Sequence, residues 1–236
     1  MTTPAPALIA RQLADTELFA GLRPEALVEV AAGGRVQQLG KGAVLFTQGG
    51  PADRCHALLE GRIRIAQSGT GGGQLIVRFV GPGQTFGTVA LFTNRRYPAE
   101  AVVLTDSVVI SWPHQDILEL IRRHPQIALN LVGIVGARLR EVQERLREVA
   151  TERVDRRIAN ALLRLADPGR AGGEGAVIEF PLTRRDVAEM CGATLHTVSR
   201  VLTAWEKAGY IATHRRRLTI HRPETLRRLA GENLEH

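Results

Sequence analysis

Ala128, Val132, Val135, Leu139, Val142, Leu146 and Val149 succeed one another in alternating steps of four and three. This is the a/d rhythm of a heptad, and it runs unbroken along the segment that follows Pro125. Arginine and glutamate fill the other faces. A helix lying on the core of its own domain carries a wider apolar stripe, whereas a narrow seam bordered by charge calls for a second helix of the same kind. The spacing predicts a long dimerisation helix over 125–150. That helix divides the chain into residues 1–124, residues 151–230 and a short tail, 231–236.

The part before the helix has two textures. Residues 7–32 read as helical, with Leu18-Phe19-Ala20-Gly21-Leu22 ahead of Pro24, a residue suited to the first helical position. From Val36 to Trp112 the pattern changes to short β-type runs: Ala43–Thr47, His56–Leu59, Arg62–Ala66, Leu75–Val80, Val102–Leu104 and Val108–Trp112. Gly42, Gly49, Gly50, Gly61, Gly81, Gly83 and Gly87 punctuate them as turns, and Gly69–Gly73 reads as a hairpin tip. Short strands with regular turns predict a small antiparallel barrel or roll.

Beyond the helix, Glu152–Ala166 reads as a further helix, residues 167–175 as a loop and Val177–Phe180 as a strand. Residues 182–204 then read as two short helices joined at Gly192. Thr183, with Asp186 three residues on, can cap the first helix, and Thr194 the second. In the second helix Val198, Val201, Leu202 and Trp205 fall on one apolar face. His196, Thr197, Ser199, Arg200 and Thr203 form the opposite face. A helix with an apolar back and a cationic, hydrogen-bonding front suits the DNA major groove. Tyr210–Ala212 and Leu218–Ile220 can pair as a hairpin with His214–Arg217 at its tip, which completes a winged helix-turn-helix.

Composition narrows the setting. The formal charge is +7, carried almost wholly by arginine, since Lys41 and Lys207 are the lysines; such a chain is drawn to phosphate. No apolar run is long enough to span a membrane, and the N-terminus lacks the features of a secretory signal, so the cytoplasm is the expected location. Two cysteines, Cys55 and Cys191, are too few for a disulfide framework. No nucleophile with its base, carboxylate pair or metal cluster stands at usable spacing, so an enzyme is not expected. Leu234-Glu235-His236 resembles the stub of a histidine tag.

Taken in order, Leu45–Gly49, Leu59–Ile63, Gly81–Gly87, Ala90–Phe92, the heptad helix and Thr194–Arg200 resemble the family of the cyclic-AMP receptor protein and the fumarate–nitrate regulator, the Crp/Fnr family. The resemblance covers nearly the whole chain. It implies an α+β architecture: an N-terminal β-roll sensor domain of cyclic-nucleotide-binding type, a dimerising helix and a C-terminal winged helix-turn-helix. It further implies a homodimer that regulates transcription at a palindromic site on double-stranded DNA, with RNA polymerase as a partner, as activator or repressor. In relatives three positions read bases, and here they carry His196, Ser199 and Arg200; Arg200 can grip guanine O6 and N7 together. Thr194, Leu195 and Thr197 lie beside them, Leu195 set either to meet a thymine methyl or to pack inward. Arg184, Arg185, Arg215, Arg216 and Arg217 suit phosphate contacts, which position without specifying.

The resemblance argues against cyclic AMP as the effector. Relatives hold the ribose with a glutamate and the cyclic phosphate with an arginine and a serine, where this chain has Thr88, Pro98 and Ala99. Their purine contacts fall on Val142 and Gln143. The effector pocket is accordingly expected around Gly87, Thr88, Tyr97, Pro98, Ala99, Glu100, Val142 and Gln143. Two cysteines exclude an iron–sulfur cluster within one subunit. Tyr97–Ala101 and Thr194–Arg200 resemble the nitric-oxide and denitrification branch, which points to haem, with His56, His114 and His124 as axial candidates. A cyclic-nucleotide-responsive regulator, an unidentified small molecule, oxidation of Cys55, or no ligand at all are the other readings. A regulatory module of a partner enzyme would have no use for residues 182–220.

Overall fold

A computed structural model of the chain describes residues 6–88, 92–93, 95–166 and 175–231. The chain forms two compact units. One comprises the residues up to Gly73 together with Val77–Glu141; the other comprises Gln74–Ile76 and the chain from Val142 on.

The first unit begins with α1 (Pro6–Ala14) and α2 (Pro24–Gly33). Pro24 starts α2 because its fixed φ is already helical and it has no N–H to leave unpaired. An antiparallel roll follows, built from β1 (Arg35–Leu39), β2 (Val44–Phe46), β3 (Arg54–Ser68), β4 (Gln74–Val80), β5 (Thr85–Phe86) and β6 (Glu100–Pro113). The sheet runs β1-β6-β3-β4, with β2 added to β6 and β5 to β3. The Gly69–Gly73 tip closes the β3–β4 hairpin through a Gly69 N–H to Gly73 O bond of 2.8 Å.

The sequence reads Gly61 as a turn between two strands, and here the structure differs. β3 passes straight through Gly61, and its register against β6 shifts at Glu60 and Arg62. Gly61 has φ +96°, and a Cβ there would lie 2.1 Å from Ser107 Oγ and 2.6 Å from Asp106 O. The glycine is a bulge that bends one long strand.

Among the described residues, the two larger apolar clusters hold this unit. Ile9, Leu13, Leu18, Phe19, Leu27 and Val30 pack with Ile110, Trp112, Ile117 and Ile127. Trp112 donates Nε1–H to Val30 O at 2.8 Å and meets the Phe19 ring edge-on at 5.1 Å. Leu58, Ile63, Val80, Phe86, Val103 and Val109 fill the roll. Next come α3 (His114–Arg123), with Asp116 in its first turn and Arg122 and Arg123 in its last, which suits the helix dipole, and then α4 (Gln126–Thr151).

The second unit contains α5 (Val154–Leu165), β7 (Ala176–Ile178), α6 (Arg184–Cys191), α7 (Leu195–Lys207), β8 (Ile211–His214), β9 (Arg217–Ile220) and α8 (Pro223–Ala230). Its sheet has the order β7-β9-β8. Ile158, Leu162, Ile178, Val187, Val198, Leu202, Ile220 and Leu226 are buried in it. Most of the expected 167–175 loop and the tag-like Leu234–His236 lie outside the described residues.

Candidate nucleic-acid interface and sensor site

The helix-turn-helix is fixed by local chemistry. Thr183 accepts from the Asp186 N–H, and the Asp186 carboxylate accepts from the Thr183 N–H at 2.8 Å, a reciprocal capping box. Gly192 takes the left-handed conformation, φ 58°, that turns the chain toward α7. Thr194 caps α7 by accepting from the Thr197 N–H, and the two threonine hydroxyls lie 2.9 Å apart.

Val198, Leu202 and Trp205 form the buried back of α7, while Val201 is half-buried. Full burial of such a side chain contributes about 1.5–3 kcal/mol, enough to fix which way the helix faces. His196 and Arg200 are exposed and Ser199 half-buried on the opposite side. Leu195 is 51% exposed, so of its two expected placements the outward one holds.

The arginines divide into two kinds. Arg215, Arg216 and Arg217 are exposed where β8 turns into β9. Arg215 and Arg216 have φ of 48° and 67°, a backbone that arginine enters at a cost of order 1 kcal/mol. A tight hairpin of this kind ordinarily takes Asn or Gly, so the chain keeps cations at the tip against local preference. Arg185 is exposed and pairs with Glu189 at 2.9 Å. Arg184, expected beside it as a phosphate contact, donates within the fold to Ser199 O, Thr203 Oγ1 and Glu206 Oε2.

On α4 the heptad positions Val132, Val135, Leu139, Val142, Leu146 and Val149 are all exposed, from 41% to 71%. Ala128 is half-buried, and Leu129 adds a further exposed apolar side chain. Among the described residues nothing buries the side chains from Val132 to Val149 along this line.

In the roll, Gly87 and Tyr97 lie at a packed aromatic cluster. Tyr97 stacks on Phe46 at 3.8 Å, and His56 stacks on Phe46 and Phe86 at 5.6 and 5.2 Å. The Tyr97 hydroxyl donates to Arg54 O at 2.8 Å, so His56 donates from Nε2 to Tyr97 Oη at 3.2 Å. Its Nδ1 is then a bare acceptor, buried with no hydrogen-bond partner among the described residues. Burial, helped by the Arg54 charge, pushes the His56 pKa down to about 3. Gly87 has φ +72°, and a Cβ there would lie 3.1 Å from Tyr97 and 3.2 Å from His56. Thr88, Tyr97 and Ala99 are buried, and Pro98 is exposed. Val142 and Gln143 belong to the second unit, both exposed.

Two of the three candidate haem ligands are already engaged. His56 is locked in the aromatic stack through Nε2. His124 Nε2 sits 3.1 Å from Glu29. His114 meets Phe92 edge-on beside a cleft of about 410 Å³ of mixed lining, to which Pro51, Ala52 and Pro113 contribute as well as Asp53, Arg95 and Asp116. Among the described residues His56 and His124 already have partners through Nε2, and His114 Nδ1 is buried without one. Oxidation of Cys55 fares no better, because burial pushes its thiol up to about 12 and the reactive thiolate is suppressed. Cys191 is likewise buried, its thiol raised to about 11.

A capped helix with a polar outer face, a cationic wing and a β-roll ahead of them define a helix-turn-helix regulator that carries a sensor domain. The comparisons agree. Residues 36–124 match the cyclic nucleotide-binding domain, and residues 156–229 the Crp-like helix-turn-helix domain. The chain is 30% identical over 194 residues to the cyclic AMP receptor protein of Thermus thermophilus, which covers 82% of this chain and 87% of that protein. It is 32% identical over 191 residues to the nitrogen fixation regulation protein FixK of Rhizobium meliloti, covering 80% and 84%. The crystal structure of FixK2 from Bradyrhizobium japonicum superposes with a TM-score of 0.72 at 22% identity, over 83% of this chain and 96% of that one, which shows the same fold. This chain belongs to the Crp/Fnr family of transcription regulators. It is a DNA-binding regulator rather than an enzyme. Among the described residues no helix is long and apolar enough to cross a membrane.

Proposed function

We propose that two copies of the chain join along the α4 seam, and that the pair binds an inverted repeat through the outer faces of its two α7 helices. The observation that carries this reading is the pairing of two exposed surfaces of opposite character. One is the apolar line from Val132 to Val149; the other is the polar face of His196, Ser199 and Arg200, with the wing arginines as phosphate contacts. RNA polymerase is the further partner at the promoter. The roll regulates this binding by shifting the population between packings of the dimer.

The effector is not cyclic AMP. In nucleotide-binding relatives the cyclic phosphate is held by charge and hydrogen bonds; here Pro98 and Ala99 stand in that place. An anion buried without a cation or donors is costly. Tyr97 directs its hydroxyl to Arg54 O instead.

Selection of bound duplexes from a random-sequence pool tests both statements. The expected result is an enriched inverted repeat whose affinity does not change when cyclic AMP is added. Enrichment of no sequence overturns the first statement. A rise in affinity that saturates with cyclic AMP overturns the second.

A further inference from the structure

Arg184 opens α6, one residue after the Thr183 cap that pins the start of that helix. Its guanidinium leaves α6 and crosses to α7, where three acceptors receive it. Nη1 donates to Ser199 O at 3.2 Å and to Thr203 Oγ1 at 2.8 Å, and Nη2 donates to Glu206 Oε2 at 2.9 Å. Residues 199, 203 and 206 follow at steps of four and three, so they form one stripe along α7. A planar fork with fixed donor directions holds such a stripe in one orientation, which a flexible ammonium does not. The Arg184 and Glu206 side chains are 39% and 28% exposed, so water screens the pair only in part.

The position of this stripe gives the contact its meaning. Ser199 offers its carbonyl to Arg184, while its own side chain and that of Arg200 lie on the face that meets the bases. Rotation of α7 about its axis by a few tens of degrees would carry Arg200 off the guanine edge it has to grip in two places. The apolar back of Val198, Leu202 and Trp205 keeps that face on the core, but apolar contact is non-directional and sets the rotation less finely than hydrogen bonds do. Directional bonds from Arg184 supply what the apolar back lacks.

We infer that Arg184 is a positioning residue for sequence recognition: it sets the rotation of α7 through Ser199, Thr203 and Glu206, and it is not a DNA phosphate contact. The inference rests on α7 being the base reader. It separates two roles that sequence alone gives the same appearance, since a basic residue at a helix start suits phosphate equally well.

The experiment uses the full-length chain and two duplexes: the inverted repeat enriched by the wild type, and an unrelated sequence. Affinity for each is measured across a salt series for the wild type, Arg184→Met and Glu206→Gln. If Arg184 positions α7, Arg184→Met lowers affinity for the repeat about tenfold or more, equivalent to ~1.4 kcal/mol or more. It leaves the unrelated duplex and the salt slope as in the wild type. Glu206→Gln, which removes no cation, moves the ratio between the two duplexes in the same direction. If Arg184 instead touches phosphate, Arg184→Met weakens both duplexes equally and lowers the salt slope by about one unit per subunit. Glu206→Gln then frees the guanidinium and tightens binding to both. Either of these results overturns the inference. Should Arg184→Met fail to fold, Glu206→Gln decides alone: a lowered ratio between the two duplexes supports positioning, and an unchanged ratio with tighter binding to both overturns it. A wild type that enriches no repeat overturns the reading of α7 itself, and is told apart by appearing before any variant is made.

Discussion

His56 is a neutral ring in a place that does not tolerate a cation. An exposed histidine takes up its proton near pH 6.5, whereas His56 resists it down to about 3. As pH falls, the unfolded chain binds this proton and the folded chain does not. The stability that His56 contributes is therefore complete above pH 6.5 and is lost progressively as pH falls toward 3, by about 1.4 kcal/mol per pH unit. Urea unfolding at pH 6.5 and pH 5 measures this. The wild type is expected to lose about 2 kcal/mol more over that interval than His56→Phe, which keeps an aromatic ring in the stack. Equal losses would assign the acid sensitivity to other groups. Arg200 answers to a different measurement. Arg200→Ala is expected to cost about 1–3 kcal/mol on the enriched repeat and to abolish preference at one base pair of each half-site. Binding to half-sites substituted at single positions checks it, and a loss spread evenly over all positions would count against the assignment. The two threonine caps were legible in the sequence, because a cap is decided by residues three apart. The partners of Arg184 were not, because Ser199, Thr203 and Glu206 reach it only through the crossing of two helices.

At the scale of elements, α4 and the wing carry the testable claims. Leu139 is 56% exposed, so in the single chain its replacement disturbs little. Leu139→Asp is expected to leave the thermal unfolding of the protomer nearly unchanged while converting the dimer to monomer in sedimentation equilibrium. A dimer of unaltered strength would place the interface elsewhere. On the proposed reading the wing arginines meet phosphate and not bases. Arg216→Ala should weaken binding to all sequences alike and reduce the salt dependence, by a slope change of about one per subunit. The same elements show what period and turn residues convey. The heptad of α4 and the strand runs of the roll were readable from spacing. The passage of β3 through Gly61 was not, because a turn glycine and a bulge glycine look alike until the neighbouring strand is in place. α8 went unread although Pro223 and Gly231 bracket it, since eight residues carry little periodic signal.

For the whole molecule the sequence conveyed the order of parts, and the structure added where each part is already satisfied. The roll fills its interior with its own aliphatic and aromatic side chains, α7 keeps its outer face open, and α4 leaves its seam exposed. A chain arranged in this way completes itself by meeting a copy and a duplex. The central claim is thus a dimer that places two α7 helices in successive major grooves. Hydroxyl-radical footprinting of the enriched site, with stoichiometric titration of the same duplex, tests it most directly. The account predicts two chains per duplex and two protected segments related by the symmetry of the repeat, their centres about 34–36 Å apart along the DNA axis. One chain per duplex, or a single continuous protected patch without that symmetry, would contradict it.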